Sequence, residues 1–302
     1  MMLLKYITKN LIKRNKIMSS LQIVKHLSGH SGCAVDLCRD GEEIFVRKSS
    51  GSEEYSRRLK KQFIKQKKFS LSTVQTPQIL KYGTDKDGIF WFDMEFVNGI
   101  TLAEYMHSIK VKEIVDLMKV LFSSLMIKDG KVNNKANELF GAKINSLKKK
   151  LETENPLLKQ AFSKLENFDF QQIPQTHCCG DLTLENIILA PNGKIYLIDL
   201  LDSFYNSWMV DVAKLLQDID LGWSYRHIKR DYNLNLRLGI AKQALIEDIL
   251  QLENGKILLK NIYYVLLVNI LRIYPYTHDV ETMNFLNEAT KKVLNTIESM
   301  ED

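Results

Sequence analysis

Between His177 and Phe204 the chain reads HCCGDLTLENIILAPNGKIYLIDLLDSF, and this stretch restricts the possible folds more than any other. Ile187, Ile188 and Leu189 make a short apolar run, and Ile195, Tyr196, Leu197 and Ile198 make a second, with Pro191-Asn192-Gly193 between them. Apolar runs of this kind on either side of Pro, Asn and Gly predict a β-hairpin. The hairpin brings Asp199, at its far end, back beside the loop that carries Asp181 and Asn186. Any fold for this chain must therefore gather two aspartates and an amide around one tight return.

Phosphoryl transfer from ATP needs such a set. One carboxylate holds the attacking hydroxyl in line with the γ-phosphate, while an amide and a second carboxylate hold the metal ions that neutralise the triphosphate. Each residue alone is an ordinary turn or strand-end residue; their order and spacing together point to catalysis. Here the sequence resembles the aminoglycoside phosphotransferase and choline kinase-like small-molecule kinases, distant relatives of protein kinases. Their pattern is His-Gly-Asp, four residues, Asn, then a strand ending in Ile-Asp, and Gly180, Asp181, Asn186, Ile198 and Asp199 match it. Cys179 stands where that family has its histidine, a packing and hydrogen-bonding support, and His177 lies two residues further back. The resemblance implies an α+β, protein-kinase-like two-lobe fold, with a small antiparallel-sheet N-lobe over 21–97 and a larger, mostly helical C-lobe over 98–302. It also implies ATP as phosphoryl donor, Mg2+ held by Asn186 and Asp199, and Asp181 orienting the acceptor hydroxyl.

Composition agrees with a folded enzyme and excludes other classes. With 302 residues, 45% hydrophobic content and few glycines or prolines, the chain is long for one core and helix-rich. Its net charge of +6 is spread over the sequence, so no concentrated basic stripe with aromatic partners speaks for nucleic acid. The four cysteines have no zinc-site spacing, and reduced thiols in a cytoplasmic chain are the simpler account. Residues 1–20 lack the unbroken apolar stretch of a secretory signal. They read as a basic peripheral helix, or as upstream sequence before a start at Met18, with membrane-surface contact the lesser alternative. The apolar run Ile257 to Ile273 is interrupted by Lys260, Asn261, Asn269 and Arg272, which predicts a buried helix and not a transmembrane segment.

Towards the N-terminus, residues from Ile23 to Lys48 read as strand, loop, strand, turn, strand. In the loop, Gly29, Ser31 and Gly32 leave backbone N–H groups open to phosphates. Ile44-Phe45-Val46-Arg47-Lys48 resembles the strand that carries the family's phosphate-binding lysine. Strand alternation puts Lys48 on the face of Val46, and Arg47 takes its place if the register shifts by one. Family members hold that lysine with a helix glutamate; the following helix here offers Gln62 or Gln66 instead. Strands near Gln78–Gly83 and Ile89–Val97 follow, the second ending Met94-Glu95-Phe96-Val97-Asn98-Gly99 before a Thr101-capped helix. By resemblance this is the adenine hinge, with the Glu95 carbonyl and the Val97 N–H facing the base.

The rest reads as helical. Apolar residues from Val111 to Met126 recur at helical spacing, 133–155 reads as a polar surface excursion, and Asp211 opens a helix after the hairpin. Asp211 matches the family's buried aspartate that ties this helix to the catalytic loop, or serves as a helix N-cap, or both. Asp202, Trp223 and Arg226 are candidates for acceptor contact, with local packing as the alternative. Without a strong acidic cluster, a neutral or anionic hydroxyl compound such as a sugar or glycan precursor fits better than an aminoglycoside or choline; an amino alcohol is the remaining option. A nucleotide-binding pseudokinase scaffold is the main alternative function. Leu200-Leu201 after Asp199, and the lack of an Ala-Pro-Glu segment before Asp211, disfavour a protein kinase.

Overall fold

The computed structural model describes residues 21–27, 32–127, 130–151 and 154–301. The N-terminal extension, Gly29 and Ser31 lie outside the described residues. The chain divides into two units, one running to Lys68 and resuming at Pro77–Val97, the other comprising Phe69–Thr76 and everything from Asn98 onward.

The first unit is an antiparallel sheet with one helix. Its first strands are β1 (Gln22–Leu27), β2 (Cys33–Asp40) and β3 (Glu43–Ser50), followed by helix α1 (Glu53–Lys68). After β4 (Val74–Gln75), which belongs with the second unit, come β5 (Ile79–Thr84) and β6 (Phe90–Glu95). The sheet order is β1-β2-β3-β6-β5. Helix α1 starts with Glu53 and Glu54 and ends with Lys65, Lys67 and Lys68, charges that suit the helix dipole. Its buried face, Leu59, Gln62, Phe63 and Gln66, recurs at helical spacing. Phe63 packs its ring 5.6 Å from Phe90 and 5.7 Å from Phe92, and these join Val46, Leu59 and Met94 in the unit's core. Strand pairing of Val46 with Met94 and Lys48 with Phe92 puts Lys48 on this core face, while Arg47 opposes Asp93 on the other.

The second unit is mainly helical around a small four-stranded sheet. Strand β7 (Ile100–Thr101) leads into α2 (Leu102–Tyr105), capped as expected by Thr101, whose partner in a capping box is Glu104. Helices α3 (Val111–Leu125), α4 (Ala136–Leu151) and α5 (Pro156–Glu166) follow, then strands β8 (Ile187–Leu189) and β9 (Ile195–Leu197). The sheet runs β4-β9-β8-β7. Helices α6 (Trp208–Ile219), α7 (Tyr232–Leu250), α8 (Gly255–Leu271) and α9 (Val280–Glu301) complete it, with α8 packed against α6 and α9.

Two expectations need correction. The lysine-rich stretch 133–155 is not merely a surface excursion: most of it is α4, whose Ala136, Phe140, Ile144 and Leu147 are buried one turn apart. Phe140 stacks on Phe170 at 4.1 Å between centroids, a burial worth roughly 1.5–3 kcal/mol in transfer free energy alone. The boundary between the units is also less simple than a cut at 97, because Val74 and Gln75 pair in parallel with Ile195 and Tyr196. Among the described residues, the one segment long and apolar enough to cross a membrane, Gly255–Tyr276, is 72% buried within the protein over its most apolar window. It behaves as the core helix the sequence predicts.

Candidate active site

The loop carrying Asp181 is held from below by α6. Ser207 is that helix's N-cap, its side chain accepting from the Met209 N–H, so the capping reading of Asp211 falls away. Asp211, 1% exposed, instead accepts from the Cys179 N–H at 2.6 Å and the Gly180 N–H at 2.7 Å, one with each carboxylate oxygen. Seven residues on, Asp218 accepts from the Leu184 N–H and the Ser224 N–H, both at 2.6 Å. Burial pushes the Asp218 carboxyl up to about 6, against the opposing pull of those two N–H groups. Between them, the Lys214 ammonium lies 2.9 Å from Asp181 Oδ1. Positions 211, 214 and 218 fall on one face of a helix every residue of which is buried.

The loop itself is a tight knot of backbone bonds. Gly180 takes φ 91°, a left-handed conformation that a side chain would strain, immediately before Asp181. The Asp181 carbonyl accepts from the Thr183 N–H at 2.9 Å and from Asn186 Nδ2 at 2.7 Å. The second bond fixes the Asn186 side chain through its nitrogen. Cys179, buried where a histidine was expected by resemblance, gives the loop support by other means. Its N–H reaches Asp211 and its carbonyl accepts from the Leu201 N–H at 2.9 Å, while His177 is exposed.

The hairpin returns as the sequence predicts. Ile187 pairs with Leu197 and Leu189 with Ile195. The Ile198 N–H then donates to the Asn186 carbonyl at 2.9 Å, so Asp199 leaves the hairpin from a point tied to the loop amide. Asp199 takes φ 54°, one of two non-glycine left-handed residues among the described ones. Aspartate and asparagine bear this conformation better than most side chains, and such residues concentrate at functional sites. An amide oxygen and a carboxylate are hard donors, the set that suits magnesium held largely by phosphate oxygens and water. Among the described residues no three His, Cys, Asp or Glu side chains gather to cage a metal by themselves. Asp202 lies three residues beyond Asp199 and is half-buried.

In the first unit, Lys48 is 4% exposed and its ammonium donates to Gln62 Oε1 at 3.1 Å. Of the two glutamines the sequence offered, Gln62 is the one that meets Lys48. Arg47 is spent on Asp93, bonded through Nε at 2.7 Å and Nη2 at 2.9 Å, and its guanidinium stacks on Trp91. Gln66 donates to the Pro77 carbonyl instead. Gly32 is left-handed at φ 68°, and a Cβ there would meet the Tyr55 ring at 2.5 Å. Glu95 ends β6, bonded through its N–H to the Gln78 carbonyl at 2.8 Å, and Val97 closes the first unit two residues later.

Trp223 and Arg226 are engaged with each other: the guanidinium lies 4.0 Å from the indole centroid and Nη1 donates to the Trp223 carbonyl. The indole also meets Phe285 edge-on at 5.8 Å. Buried Arg226 Nε has no hydrogen-bond partner among the described residues.

Solved structures share this fold. A thermostable mutant of the aminoglycoside phosphotransferase APH(4)-Ia, in ternary complex with ADP and hygromycin B, matches with a TM-score of 0.61 at 13% identity, over 96% of this chain and 97% of that one. The fold is that of the aminoglycoside phosphotransferases. A GDP complex of a mutant aminoglycoside 2′-phosphotransferase-IIIa matches with a TM-score of 0.57 at 14% identity, over 99% and 97% of the two chains. No family model matches the chain, and no curated protein matches it by sequence.

Sequence reasoning missed Lys214, Asp218 and Asp93. The signal for the first two was there: polar residues three and seven positions after Asp211, in a helix otherwise built largely of Trp, Met, Val, Leu and Ile. A polar stripe on so apolar a helix must meet partners inside the protein.

Proposed function

We propose that this protein is a phosphotransferase that moves the γ-phosphoryl group of ATP to a hydroxyl of a small molecule. The observation that carries the proposal is the pair of hydrogen bonds tying Asn186 to the Asp181 carbonyl and to the Ile198 N–H. They tie the backbone at Asp181 and the end of the hairpin just before Asp199 to the same residue, which supports reading the three as one phosphoryl-transfer centre.

In this reading Lys48 would hold the α- and β-phosphate oxygens and Glu95 and Val97 the adenine, with Gly29, Ser31 and Gly32 the candidates for the remaining phosphate contacts. Asn186 and Asp199 hold magnesium, which when bound offsets the negative charge of the triphosphate. Asp181 accepts a hydrogen bond from the acceptor hydroxyl and fixes its line of attack. As the acceptor oxygen bonds to the γ-phosphorus, the bond to the ADP oxygen breaks, the hydroxyl proton passes to Asp181, and ADP leaves. Positioning of this kind supplies roughly 7–11 kcal/mol in favourable cases. Asp202, Trp223 and Arg226 remain candidates for the acceptor side.

One observation favours a second reading, a nucleotide-binding scaffold with impaired transfer: Lys48 is oriented by a neutral amide, where a carboxylate would bond it more strongly. ADP release against a library of hydroxyl compounds separates the two. Asp181→Asn is expected to lower turnover at least ~10²-fold while MgATP binding stays near that of the wild type. Steady ATP binding with no ADP release from any acceptor supports the scaffold.

A further inference from the structure

The polar stripe of α6 does two different jobs. Asp211 and Asp218 are spent on backbone N–H groups of the loop and of the Ser224 turn. Lys214 is spent on the loop's side chain: its ammonium, with 11% of the side chain exposed, lies 2.9 Å from one oxygen of Asp181. We infer that Lys214 is the positioning and specificity-determining residue of the acceptor site, and that it selects a neutral or anionic hydroxyl compound against one carrying an ammonium beside the reacting hydroxyl.

The argument has two steps, and it rests on the reading of Asp181 as the group that receives the hydroxyl proton. First, a carboxylate on a loop can rotate, and an ammonium bonded to Oδ1 stops it, leaving Oδ2 for the acceptor hydroxyl. Lys214 itself cannot wander, because it stands on a wholly buried helix whose Asp211 is bonded to the residues just before Asp181. Second, the pairing removes the attraction that Asp181 would offer to a cation. An acceptor hydroxyl bonded to Asp181 stands within a few ångströms of the Lys214 charge, and a neighbouring ammonium on that acceptor meets like charge where solvent screens it poorly.

The two acids that share α6 with Lys214, and Glu185 on the loop, do not restore a cation site. Asp211 is sealed at 1% exposure, and Asp218 is fully buried, bonded to two N–H groups and shifted towards its neutral form. Glu185, on the loop itself, is turned to solvent. Asp218 also joins the loop, at the Leu184 N–H, to the turn at Ser224, whose neighbours Trp223 and Arg226 are the acceptor candidates of the proposed function. An indole and a guanidinium suit a sugar ring and an anionic substituent.

The test uses the full chain, with ADP release measured on sugars and polyols, each beside its amino-substituted counterpart, for the wild type, Lys214→Met and Lys214→Arg. Wild type is expected to prefer the neutral member of each pair by at least ~10-fold in kcat/KM. Lys214→Met is expected to lower kcat on neutral acceptors with KM for MgATP unchanged, and to shrink the preference towards unity; Lys214→Arg restores both. In an Asp181→Asn background, Lys214→Met costs little more, because the lysine acts through that carboxylate. Wild type favouring the amino counterparts overturns the inference without any variant, and so does a folded Lys214→Met that keeps the full preference. Failure of the underlying reading looks different: every acceptor is inert in wild type, or Asp181→Asn turns over as wild type does, and the inference falls with it.

Discussion

The two units hold their candidate functional groups in different ways. In the second, the Asp181 loop hangs on buried carboxylates: Asp211 and Asp218 take four backbone N–H groups between them at 2.6–2.7 Å, three of them the loop's. In the first, the buried ammonium of Lys48 rests on a neutral amide, Gln62, at 3.1 Å, and the amide's own nitrogen has no partner among the described residues. Charge-assisted bonds are shorter and stronger than neutral ones, and an orphaned buried donor costs free energy. The loop is therefore built for rigidity, while Gln62 holds the lysine by the weaker kind of bond.

Breaking the carboxylate side of this comparison has the largest effect. Asp211→Ala leaves two buried N–H groups without acceptors and is expected to cost roughly 3–5 kcal/mol, read as a lower denaturation midpoint. Asp211→Asn keeps one acceptor oxygen and is expected to cost about half as much. A loss under about 1 kcal/mol for the alanine variant contradicts the anchoring role.

Asp218 sharpens the comparison through pH. Its carboxyl is raised by burial to about 6 in the folded state, so its contribution to stability is complete below the unfolded value near 4 and is lost as pH rises through 6. Asp218→Asn removes that titration. Relative to the variant, wild type is expected to lose on the order of 1–3 kcal/mol between pH 4 and pH 7. Parallel stability curves for the two proteins across that window contradict the assignment. Its near neighbour Asp220 behaves oppositely: burial pushes it up, but Lys242 and Lys292 at 2.8 and 2.7 Å outweigh burial and hold it below the usual range.

The smallest effect comes from repairing the first unit. Gln62→Glu converts the amide contact with Lys48 into an ion pair and removes the orphaned nitrogen. Because burying the new charge offsets most of that gain, stability is expected to change by about 1 kcal/mol or less, with KM for ATP falling. An unchanged KM shows that Lys48 is already fixed without a carboxylate.

How much of this was legible in the sequence follows the strength of local patterns. The hairpin was, because two apolar runs flank Pro191-Asn192-Gly193 and nothing else fits so short a return. The tie from Asp211 to the loop was too, because Asp211 follows Asp181, Asn186 and Asp199 in a recognisable order. Lys214 and Asp218 were legible only as a polar stripe on an apolar helix; which groups they meet depends on how α6 packs, and no local pattern gives that. Helix α4 was hidden by its lysines, three of them in a run at its end, which mask the four residues that carry its packing. Gln62 and Gln66 stand one turn apart on the same face, so only the register of β3 against α1 distinguishes them. The pairing of Val74 with Ile195 had no sequence signal, since two residues are too few to show a period.

The central claim is that the hairpin's terminal carboxylate and the loop amide serve one divalent ion in phosphoryl transfer. Asp199→Asn tests it most directly, because asparagine tolerates the left-handed backbone at this position and removes only the charge. Calorimetric titration with ATP, with and without magnesium, is expected to show magnesium-dependent binding for wild type and its loss in Asp199→Asn. Identical titrations for the two proteins, each gaining the same affinity from magnesium, contradict the account.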